Sequence, residues 1–79
     1  MNPTKLLTDI ARSLVDNPDQ VRVVEDTSEP GVVNLTLTVA DGDMGKVIGK
    51  GGRIARSIRT IMKSASSVAG QKIFVEIKD

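Results

Sequence analysis

Leu6, Leu7, Ile10, Ala11 and Leu14 recur at spacings of three and four, which places them on one face of a helix. Asn2 followed by Pro3 reads as an N-cap and first helical position, and Asn17-Pro18 as a stop, so the pattern predicts a helix over 3–16. From Gln20 the period changes to two. Val21 and Val23 alternate with Arg22, and Val33, Leu35, Leu37 and Val39 alternate with Asn34, Thr36 and Thr38. Between the two runs, Glu29-Pro30-Gly31-Val32 has proline and glycine at the central positions of a type II turn, which predicts an antiparallel hairpin. Met44, Val47 and Ile48 fit a short helix that stops at Gly49, with Asp41-Gly42-Asp43 as a loop able to cap it.

A longer helix is predicted from Gly52 to about Val68. At about 100° per residue, Ile54, Ala55, Ile58, Ile61, Met62, Ala65, Val68 and Ala69 share an arc of roughly 140°. Gly70 ends that helix at the C′ position. Ile73, Val75 and Ile77 then alternate with Phe74 and Glu76 in a last strand, with Phe74 on the open face of the sheet. The predicted order is α-β-β-α-α-β over a single domain, residues 1–79. Joining the second strand to the third through two helices allows those strands to lie parallel. The expected class is α+β, a three-stranded mixed sheet with helices on one face.

Composition removes most chemistry. The 79 residues contain no cysteine and no histidine, so thiolate sites, disulfides and the commonest acid–base catalyst are all excluded. No metal site, cofactor or catalytic residue is expected, and the chain does not look like an enzyme. No leader pattern or membrane-length apolar run is present, which makes the cytoplasm the expected location and gives the membrane no part. The net charge of +1 hides a strong asymmetry. Residues 1–43 carry three basic and eight acidic side chains, whereas residues 44–79 carry eight basic and two acidic. No acidic residue occurs from Met44 to Val75, and this region surrounds the densest glycine cluster in the chain. An anionic partner is the natural expectation.

That cluster is Gly49-Lys50-Gly51-Gly52-Arg53. It does not fit a Walker A loop, because Gly45 and Gly49 are one residue too close and Gly51 follows Lys50. It does not fit a dinucleotide fingerprint, because Ile54 occupies the third glycine position and a helix precedes it. What remains is a G-x-x-G turn between two helices. The following helix aims its free N–H groups at the turn, and bare glycines at 49 and 52 would let a sugar-phosphate backbone come close. A plain helix–helix turn would also use glycine, but the basic surroundings favour phosphate.

The run Val47-Ile48-Gly49-Lys50-Gly51-Gly52-Arg53-Ile54-Ala55-Arg56-Ser57-Ile58-Arg59 resembles the KH-domain signature V-I-G-x-x-G-x-x-I-x-x-I. The element order resembles the type II form, and the whole chain resembles the small stand-alone bacterial KH proteins of the KhpA (YlqC) family. Ala55 departs from the pattern, which has a larger aliphatic there; Ile54 and Ile58 are the residues available to fill that space. The resemblance implies single-stranded RNA binding, with the turn clamping the backbone of about four nucleotides. It gives Gly49, Lys50, Gly51 and Gly52 phosphate contacts, with Arg53, Arg56 and Lys46 as further cations. Val47, Ile48 and Ile54 would form an aliphatic floor, with bases in a groove between the short helix and a strand. It also implies an RNA chaperone or post-transcriptional regulator, acting as a homodimer or paired with a second KH protein of the Jag type.

Several residues keep two readings. Arg56, Arg59 and Lys63 fit a solvated helix face as well as an RNA contact. Val47 and Ile48 cannot both point the same way, so one belongs to core and the other to groove. Phe74 is expected to pack across strands rather than to bind. The apolar arc on the long helix is wide, and Ile61, Met62 and Val68 at its edges are candidates for a dimer surface. A protein-interaction module with RNA binding secondary is the alternative function.

Overall fold

The computed structural model describes residues 2–78, except for the side chains of residues 67–69. Helix α1 spans Pro3–Leu14, with the Asn2 side chain accepting from the backbone N–H of Lys5 as its N-cap. It buries Leu7 and Ala11. The helix is two residues shorter than its spacing predicted, and Val15 is already extended. Two effects end it early. Pro18 disfavours helical geometry at Asn17, and the backbone N–H groups of Asp16 and Asn17 donate to the distant Asp43 carboxylate at 3.2 and 3.0 Å. One 3₁₀ turn, Pro18–Gln20, then leads into the sheet, so the strand begins at Arg22 rather than Gln20.

Strands β1 (Arg22–Asp26) and β2 (Val32–Thr38) pair antiparallel, from Arg22 opposite Thr38 to Asp26 opposite Asn34. The turn before β2 is the expected type: Gly31 sits at φ +77° and Val32 N–H donates to Glu29 C=O at 3.1 Å. Strand β3 (Lys72–Lys78) pairs parallel with β2, from Val32 beside Lys72 to Thr38 beside Lys78. The sheet order is β1-β2-β3.

Two helices connect β2 to β3. A 3₁₀ turn at Asp41–Asp43 precedes α2 (Met44–Ile48), and α3 (Arg53–Ala69) follows the glycine turn. Gly70, left-handed at φ +69°, closes α3 by donating its N–H to Ser66 C=O. The chain therefore reverses directly into β3. The core lies between the helices and one sheet face, with Leu7, Leu35, Leu37, Val47, Ile58 and Met62 fully enclosed. Met62 is 0% exposed, so it is a core residue and leaves the set of candidate dimer contacts. The buried stripe of α3 runs through Ala55, Ile58, Met62 and Ala65, so the sheet covers the Met62 edge of the arc and leaves the Ile61 edge outside.

Asp43 does not cap α2 as the loop composition suggested. It is 1% exposed and faces inward, accepting from Asp16 N–H, Asn17 N–H and the Asn17 side-chain amide. Lys46 Nζ approaches it at 3.6 Å. A buried carboxylate is tolerated only when its lone pairs are filled; here they tie the end of α1 to the start of α2.

Candidate nucleic-acid interface

The turn Gly49–Gly52 needs glycine for two separate reasons. Gly49, Gly51 and Gly52 have φ values of +75°, +65° and +77°. At Gly49 the ψ of 170° adds a combination that residues with a Cβ essentially never adopt. A Cβ at Gly49 would also stand 2.6 Å from Ile54 Cγ1, whereas one at Gly51 or Gly52 would meet nothing within 4 Å. The two ends of G-x-x-G thus differ. The Ile54 side chain occupies the space a Gly49 Cβ would take, whereas the corresponding space at Gly51 and Gly52 is open.

Hydrogen bonds fix the turn in this shape. Gly49 N–H donates to Gly45 C=O at 2.9 Å and Gly52 N–H to Gly49 C=O at 3.1 Å. Arg56 reaches back from α3 toward Gly51 C=O at 3.4 Å, so it braces the turn as well as adding charge. Gly52 is the N-cap of α3 and can offer no side-chain cap, and the first turn of α3 carries no acidic residue. A 17-residue helix therefore presents an uncapped N-terminus to the turn.

The predicted site residues separate into groups. Lys50, Gly51 and Arg53 are exposed around the turn, and Ile48 and Ile54 are half-buried beside it. Val47 is fully buried, which resolves the pair in favour of Ile48 as the accessible member. Ala55 is buried in the place of the larger aliphatic, and Ile58 belongs to the core. Lys46 does not join the other cations. Its Nζ lies 3.2 Å from Asp16 Oδ2, a hydrogen bond that, with the Asp16 and Asp43 charges, raises its pKa against the smaller effect of desolvation. Among the described residues, Lys50, Arg53, Arg56, Arg59, Lys63 and Lys72 make no ion pair.

α2 packs chiefly on α3 and the end of α1. A groove of about 710 Å³ runs between α3 and the free edge of β3, lined by Arg59, Lys63 and Ser66 on one side and residues 71–75 on the other. The outer edge of β3 faces α3 directly: Ile73 N–H donates to Ser66 Oγ at 2.9 Å, and Arg59 Nε lies 3.4 Å from Val75 C=O. Arg59 and Lys63 therefore form a basic groove wall rather than a featureless solvated face. Lys72 and Phe74 on β3 complete it, and neither had been expected in a site. Their alternation with Ile73 and Val75 gave their orientation but not the proximity of α3.

A family model described as the KhpA/KhpB KH domain matches residues 4–77. The chain belongs to this family. Among curated KH proteins, "RNA-binding protein KhpA" of Clostridium acetobutylicum is 53% identical over 92% of this chain and 96% of that protein. The protein of the same name from Bacillus subtilis is 40% identical over 94% of this chain and 90% of its own length. In solved structures the KH fold recurs in Aquifex aeolicus Era bound to GDP and aluminium fluoride, at a TM-score of 0.69 and 17% identity. That match covers 95% of this chain and 29% of the Era chain. Era in complex with MgGDPNP and nucleotides 1506–1542 of 16S ribosomal RNA gives a TM-score of 0.66 at 16% identity. The Era likeness establishes the fold, and the KhpA relatives carry the family.

Proposed function

We propose that this protein is a non-enzymatic binder of single-stranded RNA that holds the strand's backbone at the Gly49–Gly52 turn. One observation carries the reading. A glycine turn open at Gly51 and Gly52 sits at an uncapped helix N-terminus, among cations that have no ion-pair partner among the described residues. Backbone N–H groups and mobile cations suit phosphate without selecting a base. The names of the KhpA relatives support RNA as the nucleic acid. Lys50 and Arg53 supply charge at the turn, Gly51 and Gly52 the close approach, and Ile48 and Ile54 an apolar border. Arg56 acts mainly on the turn itself, and Lys46 on the α1–α2 junction.

The test replaces Lys50 and Gly51 together with aspartate, since Gly51 has open space and Asp tolerates its left-handed backbone. With folding confirmed by circular dichroism, affinity for a mixed single-stranded RNA pool should fall at least about tenfold. The slope of log affinity against log salt should become shallower by about 0.7, the value for one lost lysine–phosphate contact. Binding and slope that match the unsubstituted protein would overturn the reading.

A role as RNA chaperone or post-transcriptional regulator fits such sequence-tolerant binding, in the cytoplasm. One domain clamping about four nucleotides binds weakly, and a dimer would raise avidity by presenting two turns. Ile61 supports association with a second copy or with another KH protein of the Jag type. It is 45% exposed in a shallow depression with Arg53, Arg56, Ser57 and Thr60, and lies about 160° around α3 from Arg59. An apolar contact there would leave the β3 groove free. The side chain of Val68 lies outside the described residues. Ile61→Glu should reduce the mass seen by sedimentation to that of one chain; an unchanged assembly would place the contact elsewhere. If that variant alone abolishes RNA retention while the aspartate pair does not, the interaction-module alternative takes precedence.

A further inference from the structure

The geometry points to Phe74 as a stacking platform for a base of the bound single strand, a second point of contact beyond the backbone clamp. This rests on the RNA reading and extends it to the groove. Phe74 is the only aromatic residue of the chain, and it stays 55% exposed. Its directly opposed neighbours across the sheet are polar. Its register neighbour on β2 is Asn34, and the next across, on β1, is Asp26; both are exposed and polar. Phe74 lines the groove between α3 and β3 with Lys63 and Lys72, and its side chain stands on the open face of β3 between Lys72 and Glu76. An exposed aromatic ring beside a groove that carries cations without ion-pair partners among the described residues matches a nucleobase attached to a phosphodiester. An acidic or purely apolar partner would satisfy only half of that surface.

The spacing along α3 gives the position of the base. Lys63 lies ten residues beyond Arg53, about 15 Å along the helix. A stacked strand rises about 3.4 Å per nucleotide. The ring therefore meets the fourth or fifth base counted from the phosphate held at the turn. Stacking is tolerant of base identity, so Phe74 adds affinity for bases as such without imposing a sequence.

Phe74→Leu keeps an apolar side chain on an exposed position and should leave the fold intact by circular dichroism. Its Kd for a uridine octamer should rise about tenfold, with the salt slope unchanged because no phosphate contact is lost. A single abasic position scanned along the octamer should weaken the unsubstituted protein similarly at one site, and weaken Phe74→Leu no further there. Phe74→Trp should restore affinity, and its indole, the only one in the chain, should lose emission on RNA addition. Phe74→Leu binding the octamer as tightly as the unsubstituted protein, or an indole insensitive to RNA, would overturn the stacking role. The Lys50 and Gly51 aspartate pair separates the two readings. If that pair loses binding while Phe74→Leu does not, the clamp stands and stacking falls. If the pair retains full binding, both fall.

Discussion

Replacing Gly49 with alanine is expected to destabilise the fold by about 2–4 kcal/mol, the combined cost of a glycine-only backbone and a steric overlap. Equilibrium unfolding in urea, or a fall in Tm of roughly 10–25 °C for a domain of this size, would register it. The overlap cannot be relieved cheaply, because the added Cβ meets Ile54 near its branched Cβ as well as at Cγ1. Gly51→Ala and Gly52→Ala should each cost only about 1–2 kcal/mol, the left-handed penalty alone, since both positions have open space. A double-mutant cycle between Gly49→Ala and Ile54→Ala isolates the steric part. Coupling near zero would mean that Ile54 does not press on the turn. The graded series also separates structure from binding: Gly49 shapes the turn, and Gly51 and Gly52 keep its open side bare.

Asp43 should be the most sensitive polar position. Asp43→Ala leaves two backbone N–H groups and the Asn17 amide without their acceptor in a buried site, and Tm is expected to drop by on the order of 10 °C or more. Desolvation alone would raise the pKa of this carboxyl. The hydrogen bonds from the Asn17 side chain and the Asp16 and Asn17 N–H groups, with the Lys46 charge, outweigh it and leave the pKa below the ordinary value. A depressed folded pKa gives a stabilisation that is complete above the unfolded value and is lost as pH falls through the folded one. Unfolding followed downward from about pH 5 should therefore show the protein losing its advantage over Asp43→Asn below about pH 4. Asp26, held low chiefly by the Ser28 N–H, adds a similar acid-labile contribution to both proteins, so the difference between them reports Asp43. The raised pKa of Lys46 acts at the other end: its contribution holds below the unfolded lysine value and fades as pH rises through the folded one. Parallel pH profiles for the protein and Asp43→Asn would contradict the network.

The elements were legible wherever local chemistry decides them. Alternation through Val33, Leu35 and Leu37 gave β2, and Pro30-Gly31 gave the turn before it. Gly70 marked the end of α3. What remained hidden depends on residues distant in sequence. α1 stops at Leu14 because the Asp43 carboxylate, 27 and 26 residues further on, claims the N–H groups of Asp16 and Asn17. Arg59 becomes a groove residue because Val75, 16 positions away, returns alongside α3. Periodicity placed Met62 on the arc of α3, but only the packing of sheet and helices puts it at 0% exposure while Ile61 remains outside. The glycine motif was visible as a turn between two helices; that packing bars a Cβ at Gly49 but not at Gly51 or Gly52 depends on the Ile54 side chain.

Amide resonances report contact between an RNA backbone and this turn directly. Titration of the ¹⁵N-labelled protein with a mixed-sequence single-stranded RNA should move the Gly51, Gly52 and Arg53 amides most. The Ile73 and Val75 amides on the β3 edge should follow, with α1 and β1 scarcely affected. Shifts confined to α1, β1 or the Ile61 edge, with the Gly51 and Gly52 amides unmoved at saturation, would contradict the account.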